Sequence, residues 1–408
     1  MKPLGPIPPR FGARDGVLVV GGTPVTDLVA RAGGTPLFVY DGDRIRETVA
    51  RLRGALPARV ALHYAVKANP YIQILRLFSQ LVDGFDIASD GELGMAREAG
   101  IALATLSFAG PGKRDAELEA AITLGVTLNL ESGGEADRAL AIAERLGIRP
   151  RLAIRVNPPF DLKGSGMKMG GGAKPFGVDA ERVPALARRV IASWAEWRGF
   201  HIFAGSQSLD ADAIAESQAQ TLLLAARLAE ESGAALPSCN LGGGFGIPYF
   251  PGDAPLDIGL IGARLGESLE RLPPVLADTA FCIELGRYLV GEAGVYLTRI
   301  VDRKESHGET FLVTDGGLHH QLAASGNFGT VVRRNYPAAI ATRFGAPAEE
   351  EASIVGCLCT PLDRLSDKAL FPRAEVGDLV AIFCAGAYGA SASPSAFLGQ
   401  GPAREILV

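Results

Sequence analysis

A single lysine at the end of an apolar run is the first residue in this chain that could do covalent chemistry. Lys67 closes the segment Leu62-His-Tyr-Ala-Val-Lys67. This run predicts a buried strand that presents the amine at its carboxyl end. An amine in apolar surroundings loses its proton more easily than in water, and the neutral form is a nucleophile towards carbonyl groups. A lysine that only extends into solvent is the simpler interpretation, so a second motif must decide.

Three consecutive glycines much later in the chain could bind a phosphate. Gly242, Gly243 and Gly244 follow a short apolar segment that ends in Leu241. Without Cβ atoms, their N–H groups can approach an anion closely. The run matches neither the P-loop nor GxGxxG, and alone it is more often a flexible turn. A nucleophilic lysine and a phosphate cradle together suggest pyridoxal phosphate, with its aldehyde at the lysine and its phosphate at the glycines.

Seven short motifs occur in order over nearly the whole chain. Together they resemble the fold-type III pyridoxal-phosphate decarboxylases, which include the diaminopimelate, ornithine and arginine decarboxylases. Each motif is modest, but their shared order is highly specific. They are Tyr64-Ala-Val-Lys67-Ala-Asn, Gly84-Phe-Asp86-Ile-Ala-Ser89-Asp-Gly-Glu92-Leu, His201-Ile-Phe-Ala-Gly205-Ser206-Gln207, Gly242-Gly-Gly244, Glu284-Leu-Gly286-Arg287, Cys359-Thr-Pro-Leu-Asp363 and Ala385-Gly386-Ala387-Tyr388.

The resemblance implies roles for the residues around the cofactor. Lys67 would form the Schiff base, and Glu284 would bond the pyridine nitrogen and keep the ring protonated. The family has EPGR where this chain has ELGR, which should change the turn and leave the chemistry intact. His201 would stack on the ring and Ser206 would bind the phosphate. Alone, His201 would pass for a core histidine and Glu284 for a surface ion-pair partner. Further cofactor contacts would come from Asp86, near the lysine, and from Gly242, Gly243, Gly244, Gly286, Arg287 and Tyr388.

The resemblance also implies a catalytic cysteine. Cys359 matches the residue that, in relatives, comes from the second subunit of a homodimer and guides reprotonation at Cα, although a buried structural thiol is the alternative. Asp363 closes the motif and is a candidate substrate ligand. Thr360 stands where diaminopimelate decarboxylases have Glu and ornithine decarboxylases have Asp. Without that anion a free dibasic substrate loses a charge-assisted bond worth ~1.5–3 kcal/mol, so lysine, ornithine and diaminopimelate become doubtful substrates.

A second departure from the family is the segment Lys163–Gly177, which is long and holds three lysines and a glycine cluster. It is either a mobile surface loop or a docking element. With Cys-Thr-Pro-Leu-Asp, it is similar to a subgroup that acts on amino acids tethered to an acyl carrier protein, as in butirosin assembly, and to relatives that accompany exosortase systems. Carrier proteins are acidic, which suits a basic loop. Arg287, Arg333 and Tyr336 are further candidate substrate ligands, although the spacing of the last two differs from that of relatives.

The elements that must position these residues alternate between short apolar runs and amphipathic stretches from about residue 36. The pattern favours an α/β fold with a (β/α)₈ TIM-like barrel, whose chemistry lies at the carboxyl ends of the strands. The resemblance implies that this barrel is of the alanine-racemase-like type. The runner-up is a doubly wound open sheet, which the motifs do not require. The strand candidates are Leu37–Tyr40, Ala61–Ala65, Gly84–Ala88, Ala104–Phe108, Thr127–Leu130, Arg151–Val156, Gly199–Ile202 and Ser238–Leu241.

Beyond about residue 280 the pattern changes to strands with few helices. We expect a cofactor-binding barrel over residues 36–280, and a C-terminal β-sandwich or β-barrel domain over 281–408 that is joined by residues 1–35. At 408 residues the chain is long enough for two or three domains.

Bulk composition narrows the class of protein. A net charge of −5 without a basic run argues against nucleic acid as a partner. No stretch approaches the ~20 apolar residues of a membrane span, and the proline-rich start does not resemble a signal peptide. Five cysteines, an odd number, indicate reduced thiols in a cytoplasmic protein and no metal site.

The sequence therefore predicts a homodimeric, pyridoxal-phosphate-dependent amino-acid α-decarboxylase with shared active sites, and a carrier-bound glutamyl thioester as the leading substrate. Three alternatives stay open. They are decarboxylation of a free diamino acid, an amino-acid racemase on the same barrel, and a non-catalytic homologue that regulates a decarboxylase by binding to it. Cys359 and Asp363 in their motif favour decarboxylation over racemisation, and the complete set of cofactor motifs disfavours the regulator.

Overall fold

The computed structural model describes residues 1–326 and 334–408. These residues form two compact units. The barrel unit comprises residues 49–246 and 256–286, and the β unit comprises residues 1–48, 247–255 and 287–408. The predicted start of the barrel at residue 36 is therefore too early, since the barrel unit begins at residue 49. Residues 247–255, which the sequence assigns to the barrel, belong to the β unit.

The strands alternate with helices through the first two thirds of the chain. In chain order they are β1 Gly12–Arg14, β2 Val17–Val20, β3 Thr23–Pro24, β4 Leu37–Tyr40, β5 Val60–Ala65, β6 Gly84–Ile87, β7 Leu106–Phe108, β8 Thr127–Leu130, β9 Arg151–Asn157, β10 Met167–Lys168, β11 Val178–Asp179, β12 Glu196–Ile202, β13 Gly205–Ser206, β14 Ser238–Asn240, β15 Ala280–Leu285, β16 Gly294–Ser306, β17 Glu309–Thr314, β18 Ala338–Ile340, β19 Glu350–Val355, β20 Arg364–Phe371, β21 Leu379–Ile382 and β22 Arg404–Leu407.

The helices lie close to the amphipathic stretches in the sequence. They are α1 Val25–Ala32, α2 Gly42–Ala55, α3 Ile72–Phe78, α4 Asp90–Glu98, α5 Asp115–Thr123, α6 Gly133–Leu146, α7 Val183–Ala192, α8 Ala211–Ser232, α9 Ile258–Glu270 and α10 Arg287–Val290. Polar side chains start several of them by accepting a backbone N–H bond: Ser89 caps α4, Ser132 caps α6 and Asp210 caps α8.

The barrel unit is a closed ring of eight parallel strands. Their order around the ring is β9-β12-β14-β15-β5-β6-β7-β8, and β8 pairs again with β9. The predicted (β/α)₈ barrel is thus confirmed, although one of its eight strands is not the strand that the sequence indicates. The sequence assigns Leu37–Tyr40 to the barrel, but this strand pairs with β16 and β22 in the β unit. The eighth barrel strand is β15, which the sequence places in the β domain.

The β unit contains a mixed sheet that is built around the 13-residue strand β16. β4, β17 and β21 pair antiparallel with different parts of β16, and β17 pairs parallel with β19. A separate three-stranded sheet, β1-β2-β3, packs with α1 through buried apolar side chains. The N-terminal strand near residue 18 therefore belongs to the same unit as the C-terminal strands.

None of the helices within residues 1–326 and 334–408 has both the length and the apolar character needed to cross a membrane. The same residues contain no group of three His, Cys, Asp or Glu side chains arranged to hold a metal ion.

The barrel depends on a buried ion pair that can be tested directly. Lys113 lies inside with 1% of its side chain exposed, and its Nζ donates to Glu135 at 2.6 Å and to the carbonyl oxygens of Gly110 and Asn129. Replacing Lys113 with Met leaves the Glu135 charge buried without its cation. We expect the K113M variant to lose about 3 kcal/mol of unfolding free energy.

Urea unfolding followed by tryptophan fluorescence measures this loss, since Trp194 and Trp197, the chain's two tryptophans, both lie in the barrel unit. The matched control is R145A, which breaks the exposed pair between Arg145 and Glu119 and should leave the unfolding free energy almost unchanged. Equal losses in the two variants would contradict the assigned role of Lys113.

Candidate active site

Lys67 lies just beyond the carboxyl end of β5. The strand ends at Ala65, and Lys67 occupies a single 3-10 turn, Val66–Ala68. Its side chain is exposed, and its Nζ lies 5.8 Å from the centre of the Phe203 ring. The lysine side chain is therefore exposed in this structure, in contrast to its neighbours Val66 and Ala68, which are buried in the same turn. The turn is fixed by Asn69, whose carbonyl oxygen accepts from the Tyr64 hydroxyl and whose side chain accepts from the backbone N–H of Tyr71.

A buried carboxylate lies on the inner face of the barrel at the end of β15. Glu284 is 6% exposed, and its Oε2 lies 2.7 Å from Nε2 of His201 on β12. The same oxygen accepts a 3.0 Å bond from the side-chain amide of Asn240 on β14. Three adjacent strands therefore contribute one polar cluster, as the closed barrel requires of inward-facing residues.

Electrostatics keep this carboxylate ionised. Burial alone would raise the pKa of Glu284, but the imidazole of His201 and the charges of Lys67 and Arg155 outweigh it and hold the pKa well below its usual range. Glu284 therefore carries a negative charge at neutral pH inside the barrel.

The glycine run packs against three other backbone segments. A Cβ on Gly242 would lie 2.6 Å from the carbonyl oxygen of Ile202, and one on Gly243 would lie 1.9 Å from that of Glu284. Gly242 and Gly244 also have positive φ angles. Glycine is therefore required here by close backbone packing, a reason that the sequence alone does not reveal. The backbone N–H of Gly242 donates to the side chain of Asn240, which links the run to the Glu284 cluster.

Asp86 lies near the carboxyl end of β6, on the same inner surface of the barrel, and is 7% exposed. Neither of its carboxylate oxygens has a hydrogen-bond donor among the described residues. A buried carboxylate without a donor is costly. Nδ1 of His63 lies 3.3 Å from Oδ2 of Asp86, so the carboxylate faces an imidazole while both of its oxygens stay open to a hydrogen-bond donor.

Ser206 lies in a short antiparallel pairing with the lysine-containing segment. β10 (Met167–Lys168) pairs with β13 (Gly205–Ser206), and we call residues 163–177 the lysine hairpin. Two of its lysines are neutralised, because Lys163 lies 3.2 Å from Glu216 and Lys168 lies 2.6 Å from Asp161. With Lys174 the local sum is three positive and two negative charges, or +1. The segment is thus less basic than its sequence suggests.

The candidate residues of the β unit form a second cluster around Arg287. The guanidinium donates to the hydroxyl of Tyr249 at 2.8 Å and lies 4.7 Å from the centre of the Tyr388 ring. Burial raises the pKa of Tyr249 to about 12, so it stays protonated. The Tyr336 ring lies 4.7 Å from that of Tyr249. Arg333 lies outside the described residues.

The loop that follows β19 carries Cys359, Thr360 and Asp363. Cys359 is exposed, whereas Asp363 is 3% exposed. The two carboxylate oxygens of Asp363 accept backbone N–H bonds from Leu318 and Leu358, both within the β unit. These bonds hold the loop in place and favour a structural role for Asp363, so its role as a substrate ligand stays a prediction. The Thr360 hydroxyl accepts from the N–H of Leu362 at 3.3 Å.

Several residues of these clusters have no counterpart in the sequence prediction. Asn240 and Tyr249 contact predicted site residues directly, and Arg155 contributes to the field at Glu284. Arg155 also pairs with Glu131 at 2.9 Å. For Asn240 a signal existed, because it ends the strand just before the glycine run. Tyr249 shows no comparable pattern.

The Glu284 cluster predicts a pH-dependent cost for one substitution. In the N240D variant a carboxylate takes the place of the amide that donates to Glu284. The new carboxylate and that of Glu284 repel each other, so one of them has a raised pKa in the folded state. Such a group destabilises the folded state once the pH rises above the pKa that the group has in the unfolded chain. We expect N240D to lose about 1–3 kcal/mol at pH 7 and to regain part of it near pH 5.

Urea unfolding of the cofactor-free protein at the two pH values measures this effect. The control is N240A, which loses the same hydrogen bonds without adding a charge, so its deficit should change little with pH. A deficit in N240D that is equal at the two pH values would show that Asn240 does not face an ionised Glu284.

Comparisons with known proteins agree with this geometry. Residues 42–291 match the family model described as pyridoxal-dependent decarboxylase, pyridoxal binding domain. The chain is 38% identical over 379 residues to L-glutamyl-[BtrI acyl-carrier protein] decarboxylase of Niallia circulans, covering 91% of this chain and 88% of that protein. It is 32% identical to diaminopimelate decarboxylase of Archaeoglobus fulgidus, covering 98% and 93%.

Solved structures show the same fold. Diaminopimelate decarboxylase of Helicobacter pylori in complex with L-lysine aligns with a TM-score of 0.82 at 28% identity, covering 94% of each chain. That of M. jannaschii aligns with a TM-score of 0.86 at 25% identity, covering 97% of this chain and 92% of that one. This chain belongs to the pyridoxal-dependent decarboxylase family, which comprises the ornithine, arginine and diaminopimelate decarboxylases.

Proposed function

We propose that this decarboxylase removes the α-carboxylate from an amino acid that is tethered to an acyl carrier protein, with a glutamyl thioester as the leading substrate. The observation that carries the proposal is Thr360, which replaces the family's acidic residue for a basic substrate side chain. The relative from Niallia circulans, which is named for a glutamyl carrier-protein substrate, supports the same choice.

The barrel residues fit pyridoxal phosphate. Asp86 is a buried carboxylate that lacks a donor among the described residues, so a polar group of the cofactor could satisfy it. Both described bonds to Glu284 meet its Oε2, which leaves Oε1 for the pyridine nitrogen. When bound, pyridoxal phosphate supplies an electron sink for the pair left as CO₂ departs.

The side chains of this protein would divide the remaining work. Lys67 would hold the cofactor covalently and release it to the amine of the substrate. Glu284, kept ionised by its neighbours, would hold a proton on the pyridine nitrogen. His201, Ser206, the glycine run and Gly286 would position the cofactor, with Arg287 and Tyr388 as anion ligands. Cys359 would return a proton to Cα.

A homodimer with shared active sites belongs to the proposal. The thiol of Cys359 is exposed in the single chain, and the resemblance to the family places this cysteine in the partner's active site. An exposed catalytic thiol is consistent with a residue that acts across a subunit interface.

The lysine hairpin is the proposed contact for the carrier protein. Its net charge of about +1 gives weak attraction at most, because Lys163 and Lys168 are paired with acidic residues. The hairpin would therefore act through its shape and through Met167, whose side chain is 52% exposed, as much as through charge.

Carbon dioxide release by the dimer loaded with pyridoxal phosphate tests the proposal. One substrate set contains free glutamate, lysine, ornithine and diaminopimelate, and the other contains glutamyl-loaded carrier protein. We expect turnover of the carrier-bound substrate only. Rapid turnover of a free diamino acid would overturn the tethered assignment. No release from either set, with cofactor bound, would favour the racemase or the regulator, and chiral analysis of the amino acids would separate those two.

Thr360 provides a sharper test of substrate choice. The T360E variant regains an anion where diaminopimelate decarboxylases have Glu, so we expect turnover of free diaminopimelate to rise by about 10- to 100-fold in kcat/KM, from ~1.5–3 kcal/mol of binding. The control is T360Q, which has the same length without the charge. Equal rates for T360E and T360Q would show that residue 360 does not bind the distal amino group of the substrate.

A further inference from the structure

His63 is a partly buried histidine to which neither the motifs nor the proposed mechanism assigns a role. It lies on β5, two residues before the end of the strand, and its register partner on β6 is Gly84. A Cβ on Gly84 would lie 2.5 Å from Nε2 of His63. The absence of a side chain at Gly84 therefore makes room for the imidazole. Asp86, two residues further along β6, faces the same side of the sheet.

The imidazole and the carboxylate form a close pair. Nδ1 of His63 lies 3.3 Å from Oδ2 of Asp86, with 19% and 7% of the two side chains exposed. The geometry is that of an ion pair and not of a hydrogen bond, since no donor bonds either Asp86 oxygen in the described parts of the chain. His63 is thus the cation that directly faces this carboxylate.

Other charged groups around His63 reinforce this pairing. Its register partner on β15 is Glu284, and Asp83 precedes β6. Burial would lower the pKa of His63, but Asp86, Glu284 and Asp83 together raise it above its usual value. The field of these three carboxylates favours the imidazolium form.

His63 also lines a cavity of about 260 Å³ inside the barrel unit. The cavity lies towards the amino ends of the strands, away from Lys67, and has room for several water molecules. Its polar lining residues near the strand starts include Asp83, Arg198, Ser107, Asn129 and Cys282. His63 can therefore exchange a proton with water from the side opposite to the substrate.

We propose that His63 is a positioning residue that holds the Asp86 carboxylate in place from the amino-end side of the barrel. Asp86 is then fixed before the cofactor binds, and the cofactor meets an oriented anion beside Lys67. This inference rests on the proposed role of Asp86 in cofactor binding, so its first test is independent of the cofactor.

The first test measures the ionisation of His63 in the cofactor-free protein. Nuclear magnetic resonance of ¹³C-labelled histidine resolves five imidazoles, and the His63 signal is identified by its absence in H63N. The His63 signal should remain that of an imidazolium to higher pH than an ordinary imidazole does. In D86N its transition should move to lower pH, because the carboxylate nearest to the imidazole is gone. A transition that is the same in D86N and wild type would overturn the proposal.

The second test uses the loaded enzyme. H63N keeps a neutral donor near the position of Nδ1 and removes the charge. We expect kcat/KM to fall about tenfold and its pH profile to lose the transition that belongs to His63, because the variant has no imidazole to titrate beside Asp86. The pH at which the visible absorbance of the bound cofactor changes should shift as well. H307N is the matched control, since it alters an exposed histidine, and it should show none of these changes.

The two tests separate the possible failures. A shifted His63 transition in D86N together with unchanged profiles in H63N would show that the pair exists and that it does not serve the reaction, which overturns the positioning role. If H63N does not fold, the double variant H63N/D86N, which removes the buried anion as well, should restore stability. Failure of that rescue would contradict the ion pair.

Discussion

The candidate active site depends on keeping a negative charge inside a closed barrel. Glu284 is almost fully buried, and such a carboxylate persists only because His201, Asn240 and nearby cations compensate it. The strands that carry these groups are adjacent in the ring, β12-β14-β15. The order of the strands, more than any single contact, therefore sets the electrostatics of the cofactor site.

Much of the architecture could be predicted because its determinants are local. Seven of the eight barrel strands and the helices between them follow from short apolar runs and amphipathic spacing. Two strands are assigned to the wrong unit. The apolar run Leu37–Tyr40 would suit a barrel strand and a strand of the β unit equally well. The partners of β15 in the barrel are far apart in sequence. Which sheet receives a strand is decided by long-range pairing, and no local pattern encodes it.

The candidate site shows the same difference between what local sequence patterns reveal and what long-range contacts decide. Lys67, Glu284 and the glycine run lie within motifs, so resemblance finds them, but the reasons for their neighbours are three-dimensional. Gly243 is required by the carbonyl oxygen of Glu284, 41 residues later in the chain. Asp363 resembles a substrate ligand in sequence, yet its carboxylate is occupied by backbone N–H groups. Contacts of this kind become visible only when distant segments meet.

Glu131 anchors one end of the lysine hairpin. It accepts the backbone N–H of Gly177 and pairs with Arg155, and Gly177 has φ of 74° with no space for a Cβ. At the other end, Gly166 donates to the carbonyl oxygen of Gln207. Between these anchors the N–H groups of Met169 and Gly170 donate to the carbonyl oxygen of Ala204, and that of Gly171 donates to the carbonyl oxygen of Pro158. The barrel thus prescribes the backbone path of the whole segment, and variation is left to its exposed side chains.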